Sequence, residues 1–133
     1  MRVYTLYIKT HGFHWNVTGL FFAQYHSMFE DQYDELSDAV DEIAERIRAL
    51  GHTAPGSFAQ FAEAKSIDEA SGAPNAQEMV AELLADHETI ARRAREVADQ
   101  ASGAGEETSA DLMIQRIQAH EKAAWMLRST LAE

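Results

Sequence analysis

Residues 11–51 read HGFHWNVTGLFFAQYHSMFEDQYDELSDAVDEIAERIRALG, and the periodicity of this stretch decides the fold. Phe22, Phe29, Leu36, Val40, Ile43 and Ile47 fall on helical steps of three, four or seven residues, which places them along one side of a long helix. That helix is predicted to stop at Leu50-Gly51, because a glycine just past the last turn can take the left-handed backbone that ends a helix. Upstream, Asn16-Val17-Thr18-Gly19 breaks the pattern in the same way and separates a first helix, Arg2 to about Trp15. Downstream, His52 to Asn75 carries both prolines and forms a long connection, inside which SFAQFAEA can make a short helix. A third helix is predicted from about Ala76 to Ala101, with Val80, Leu83, Leu84, Ile90 and Val97 inward. The stretch SGAGEETS then turns the chain into a fourth helix, from about Ser109 to Leu131, striped by Met113, Ile117, Ala124, Leu127 and Leu131. The class is therefore all-α. Two short links and one long crossover between the second and third helices describe a ferritin-like four-helix bundle, since the crossover makes those two helices parallel.

Composition narrows what such a bundle can do. A chain of 133 residues has room for one domain, taken here as residues 1–133. Hydrophobic residues make up 46% of it, enough for a core, yet no run approaches the roughly 20 apolar residues of a membrane span. The opening MRVYTLYIKTHGFHW is amphipathic and interrupted by Lys9, His11 and His14, unlike a signal peptide. With no cysteine there is neither a disulfide framework nor a thiolate site, so a metal would be held by imidazole and carboxylate. A cytoplasmic location is expected. Eleven Lys and Arg against 22 Asp and Glu give a net charge of −11, which repels nucleic-acid backbones and favours cations as partners.

The second helix carries the candidate chemistry. With His26 at zero on a helical wheel, Glu30 falls near about 40°, Asp41 near about 60° and Glu45 near about 100°. The apolar stripe of the same helix is centred roughly 110° away, so these four side chains are expected to look toward another surface. Glu30 and Asp41 lie about 16 Å apart along the axis, too far to share one ion. The midpoint of His26 and Glu45 coincides with that of Glu30 and Asp41, between Glu35 and Leu36. A two-fold axis at that point would run two copies antiparallel. It would set His26 and Glu30 of one chain against Glu45 and Asp41 of the other, making two equivalent sites per dimer. His14, near the end of the first helix, is a plausible further nitrogen ligand. Such a donor set suits ferrous iron, and zinc, manganese or cobalt could use the same atoms. Because Asp31, Asp34, Glu35, Asp38 and Glu42 make the helix acidic on most faces, the stripe also fits an ordinary solvated surface.

A more specific signal comes from HGFHWNVTG and FFAQYHSMFEDQYDELSDAVDEIAERIRALG, which closely resemble the signature of the Dps family of miniferritins. DHETIARRARE, TSADL and HEKAAWMLR resemble that family's third and fourth helices, so the resemblance covers nearly the whole chain. Carried over position by position, it implies a di-iron ferroxidase site of His14, His26 and Glu30 from one subunit with Asp41 and Glu45 from its two-fold mate. Glu30 stands where many members have aspartate. Trp15 matches the aromatic residue beside the iron, with an implied role in relaying electrons or quenching radicals; packing a dimer contact explains it equally well. The resemblance also implies a homo-oligomer, dimers assembling to a dodecamer. There Fe2+ is oxidised by hydrogen peroxide in preference to dioxygen, and ferric mineral collects inside the shell. Asp111 and Glu107 match the region lining the family's iron-entry pore, although acids in the first turn of a helix also stabilise its positive end, the better account of Glu107. The lysine-rich tail by which some members bind DNA is missing, and Arg92, Arg93 and Arg95 read as a solvated helix face, so direct DNA binding is not expected. Two other functions compete. A bundle-internal di-iron enzyme would need Glu three residues before a histidine on two helices, and no histidine here has one. A non-catalytic helical scaffold would use the same stripe as a plain interface.

Overall fold

The structure, a computed structural model, describes residues 2–64, 67–70 and 72–132. Among them lie five helices and no strand: α1 (Arg2–Asn16), α2 (Phe22–Ala49), α3 (Phe58–Ala64), α4 (Ala76–Gly103) and α5 (Glu107–Leu131). The expected long helices and the short helix of the connection are all present, and each boundary falls within about two residues of the sequence reading, the usual fraying of helix ends. No helix among the described residues is long and apolar enough to cross a membrane. The chain divides into two compact units, Met1–Met79 and Val80–Glu133.

In the first unit α1 and α2 lie side by side and antiparallel, because Phe13 meets Phe29 while Tyr7, earlier in α1, meets Tyr33, later in α2. The short link works because Gly19 takes a φ of 116°, which a residue with a Cβ rarely adopts. Val3, Leu6, Thr10 and Phe13 recur at helical spacing and are buried, as are Phe29, Leu36 and Ala39 of α2. Phe22 departs from the expected stripe and is 43% exposed, since it sits at the first position of α2, where the helix has only just begun. Lys9 is buried and its ammonium donates to the Asp68 carbonyl at 3.1 Å, tying the connection after α3 to α1. Tyr4 stacks on Phe61 with ring centroids 4.0 Å apart, which seats α3 on the same helix. At the far end of α2, the Gly51 N–H bonds the Arg48 carbonyl and the His52 N–H bonds the Ile47 carbonyl. This pair of bonds satisfies the last turn, and Gly51 makes it possible with a φ of 92°.

Helix α4 opens with a reciprocal cap: Asn75 Oδ1 accepts from the Glu78 N–H at 2.8 Å, and Glu78 Oε1 accepts from the Asn75 N–H at 3.0 Å. The second unit is an α4/α5 pair. Val80, Leu83, Ile90, Ala94 and Ala98 of α4 are buried, as are Ile117, Ala124 and Leu127 of α5. Leu84, Val97, Met113 and Leu131 lie half-buried at the margin of that stripe. Two histidines share the buried positions. His87 Nδ1 lies 2.8 Å from His120 Nδ1, and Arg116 Nη2 lies 3.0 Å from His120 Nε2. Arginine can only donate, so His120 accepts on Nε2, carries its proton on Nδ1 and donates to His87, whose own proton is left on Nε2. Burial pushes the His87 imidazole down to about 3, helped by the Arg116 charge, and pushes His120 down to about 2, helped by His87 and Arg116. Glu107 lies in the first turn of α5, as expected. The capping oxygen itself belongs to Glu106, whose carboxylate accepts from the Ser109 N–H at 3.0 Å. Asp111 is exposed and accepts from Gln115 at 3.0 Å. Arg93 and Arg95 pair with Glu96 and Glu121 on the surface, each worth little on its own.

Candidate metal centre

Where α1 ends and α2 begins, the link brings His14 and His26 together. Their rings stack with centroids 3.7 Å apart and planes 16° off parallel. His14 Nδ1 lies 2.8 Å from the His26 carbonyl oxygen, and His26 Nδ1 lies 2.7 Å from the His14 carbonyl oxygen. A carbonyl oxygen only accepts, so each neutral imidazole holds its proton on Nδ1 and keeps a lone pair on Nε2. This is the arrangement by which a backbone carbonyl fixes the tautomer of a metal-binding histidine and raises its basicity. His14 is buried and His26 half-buried, so both rings are also held by packing.

Contact with α1 changes one expectation. His26 does not look wholly away from its own unit, as the wheel implied; its ring lies against His14, with Phe22 stacked on it at 5.0 Å. Glu30, one turn further along α2, is exposed, as are Asp41 and Glu45 nearer the helix end. Because α2 is one unbroken helix from Phe22 to Ala49, the separation of about 16 Å between Glu30 and Asp41 along its axis stands. Among the described residues of one chain, no three His, Asp or Glu side chains come together as a metal-holding group. The chain by itself thus joins His14 to His26 and leaves the carboxylates along an exposed stripe.

Trp15 is 64% exposed, and its ring lies 3.9 Å from that of His11. His11 is half-buried and also stacks on Tyr33 at 4.3 Å, while Tyr33 meets the His14 ring edge-on at 5.1 Å. Neither His11 nor Tyr33 is among the site residues expected from the sequence. The signal available was the four-residue spacing of Tyr7, His11 and Trp15 along one side of α1, with His14 one turn beyond His11. The Tyr33 phenol is held above its ordinary pKa by partial burial and by the carboxylates of Glu30 and Asp34, with a smaller push from Tyr7, and so stays protonated near neutrality. A groove of about 890 Å³ in the same unit is lined by other faces of α1 and α3, including Ile8, Gly12 and Phe58; neither histidine of the pair borders it.

Residues 2–133 match the family model of the ferritin-like domain. A DNA protection during starvation protein from Brevibacillus brevis is 39% identical over 127 residues, covering 95% of this chain and 85% of that protein. The crystal structure of Dps from Thermosynechococcus elongatus superposes with a TM-score of 0.96 at 30% identity, over 98% of this chain and 83% of the other. Dps from Vibrio cholerae superposes with a TM-score of 0.93 at 30% identity over 98% of this chain and 82% of the other. It is described as a member of a broad superfamily of ferritin-like diiron-carboxylate proteins. The helices, their order and these likenesses agree: the chain belongs to the Dps family of miniferritins and has the ferritin-like fold.

Proposed function

We propose that the chain is a ferroxidase that detoxifies and stores iron, oxidising Fe2+ with hydrogen peroxide, and less efficiently with dioxygen, at di-iron sites shared between two copies. Each site takes His14, His26 and Glu30 from one chain and Asp41 and Glu45 from its two-fold mate. Membership in the Dps family supports iron storage and protection as the general role. The observation that carries the finer reading is the reciprocal hydrogen bonding of His14 and His26, which prepares two Nε2 lone pairs one turn from Glu30. Nitrogen donors hold ferrous iron, and hard carboxylates tolerate the ferric product. In each turnover two Fe2+ give one electron apiece to H2O2, which takes up two protons and leaves as two waters. The ferric ions then move into the hollow of a homo-oligomer, a dodecamer built from dimers. The exposed acidic stripe and the net charge of −11 draw cations toward it.

The test is complementation. Metal-free protein loaded anaerobically with Fe2+ should oxidise it rapidly on adding peroxide, and His26→Ala and Asp41→Ala should each abolish this. Chains of the two variants, unfolded together and refolded as a mixture, should recover about one quarter of the wild-type sites, because half the dimers are mixed and each mixed dimer holds one intact site. No recovery in correctly assembled mixtures would defeat the shared site. Wild-type oxidation no faster than in buffer would leave the non-catalytic scaffold as the better account.

A further inference from the structure

A ladder of oxidisable rings leads from the two imidazoles into the first unit. Tyr33 touches His14 at 5.1 Å and reaches Tyr7 at 6.2 Å; Tyr7 reaches Tyr4 at 5.9 Å; Tyr4 stacks on Phe61 at 4.0 Å. A branch passes from Tyr33 to His11 at 4.3 Å and from His11 to Trp15 at 3.9 Å. Phenols and indoles give up an electron far more readily than benzene or imidazole rings. The ladder therefore has three phenols in series ending on a phenylalanine, and one indole reached through an imidazole that couples the rings. Hydrophobic packing alone would be served better by phenylalanine at these half-buried positions, where a phenol must keep its oxygen hydrated or bonded.

We propose that Tyr33 is an electron donor to the iron site and that Tyr7, Tyr4 and Trp15 hold the electron vacancy it leaves. This rests on the iron-oxidising reading above, and it extends the implied role of Trp15 to a route that begins at Tyr33. Its use arises when a site holds a single Fe2+. One ferrous ion reduces H2O2 by one electron, giving Fe3+, hydroxide and a hydroxyl radical. Tyr33 then passes the electron and proton of its O–H bond to that radical, forming water and a tyrosyl radical. Tyr7 can refill Tyr33 with an electron while one proton leaves Tyr7 and another returns to Tyr33, so the vacancy moves away from the site. A second Fe2+ reduces the stored radical, with uptake of one proton, and becomes Fe3+. The overall reaction matches that of a doubly loaded site, and no hydroxyl radical escapes.

The protein, loaded anaerobically with one Fe2+ per site, is mixed with H2O2 and freeze-quenched for electron paramagnetic resonance, and iron oxidation is read in the same samples. A tyrosyl signal is expected. Tyr33→Phe should lower it several-fold and raise hydroxyl radical caught by a spin trap, whereas Tyr7→Phe should keep the signal and confine it to Tyr33. Iron oxidised without any tyrosyl signal, or an equal signal in Tyr33→Phe, overturns the ladder. If iron is not oxidised, the functional reading fails first, and the ladder is tested without iron. In a Trp125→Phe background, photo-oxidised Trp15 should decay into a tyrosyl radical, several-fold more slowly in Tyr33→Phe. An unchanged decay overturns the ladder there as well.

Discussion

His87 and His120 are 2% and 0% exposed, and both are held neutral far below the pH at which a free imidazole protonates. In the unfolded chain each titrates near about 6.5, so on acidification the unfolded state gains protons that the folded state refuses. Their contribution to stability is complete above about pH 6.5 and falls as pH drops below it, at up to about 2.7 kcal/mol per pH unit for two groups. Denaturant midpoints taken between pH 7 and pH 5 should fall steeply. In His87→Gln/His120→Gln the slope over that window should be much flatter; an equal slope would assign it to other groups. His14 and His26 are used differently, since each has its Nδ1 proton engaged by a carbonyl and its Nε2 left for a ligand. His14→Ala should weaken Fe2+ binding by at least about tenfold, read from an anaerobic titration. The hydrogen-bond partners of these four imidazoles were not visible in the residue types alone. The bond between His87 and His120, for one, joins side chains on different helices.

At the scale of elements, helix ends decide where the chemistry falls. The link after α1 is short enough to bring His14 back onto His26, and α2 must then stop cleanly at Gly51. Gly51→Ala forces a Cβ into a φ of 92° and should cost about 1–2 kcal/mol of stability, measured by urea unfolding. Asn75→Ala removes one arm of the reciprocal cap on α4 and should cost about 1 kcal/mol. A loss well below these values would mean that the helix ends are held by packing and the local bonds matter little. These boundaries were legible because glycine, proline and capping side chains act within a few residues of themselves. The apolar stripes were legible for the same local reason, apart from Phe22, whose place at the very start of α2 leaves it exposed.

Across the whole molecule, Leu20, Phe58, Trp15 and Trp125 are 90%, 82%, 64% and 59% exposed in a single chain. Large apolar side chains exposed to this extent favour association. Sedimentation should therefore find a species many times heavier than the 14.8 kDa chain. Leu20→Glu should shift it toward smaller assemblies and reduce iron oxidation in parallel, because the proposed site needs two copies. A monomeric wild-type protein would contradict both the assembly and the site. Raising the salt concentration should slow Fe2+ uptake, since an acidic surface attracts cations through a field that ions screen within about 10 Å at 0.1 M.

The sequence by itself determined the helices, their order, the long connection and the family, because periodicity, caps and contiguous motifs are properties of neighbouring residues. It also placed the candidate ligands on one stripe, since the spacing of His26, Glu30, Asp41 and Glu45 follows from helical geometry alone. Only the tertiary structure decided that His14 and His26 bond each other's backbone, that His26 turns toward α1, that Tyr33 links the pair to Tyr7 and His11, and that His87 and His120 share a buried hydrogen bond. Each of these depends on the angle and offset at which two helices meet. That geometry is set by the sum of many side-chain contacts, and no local pattern in the chain encodes it.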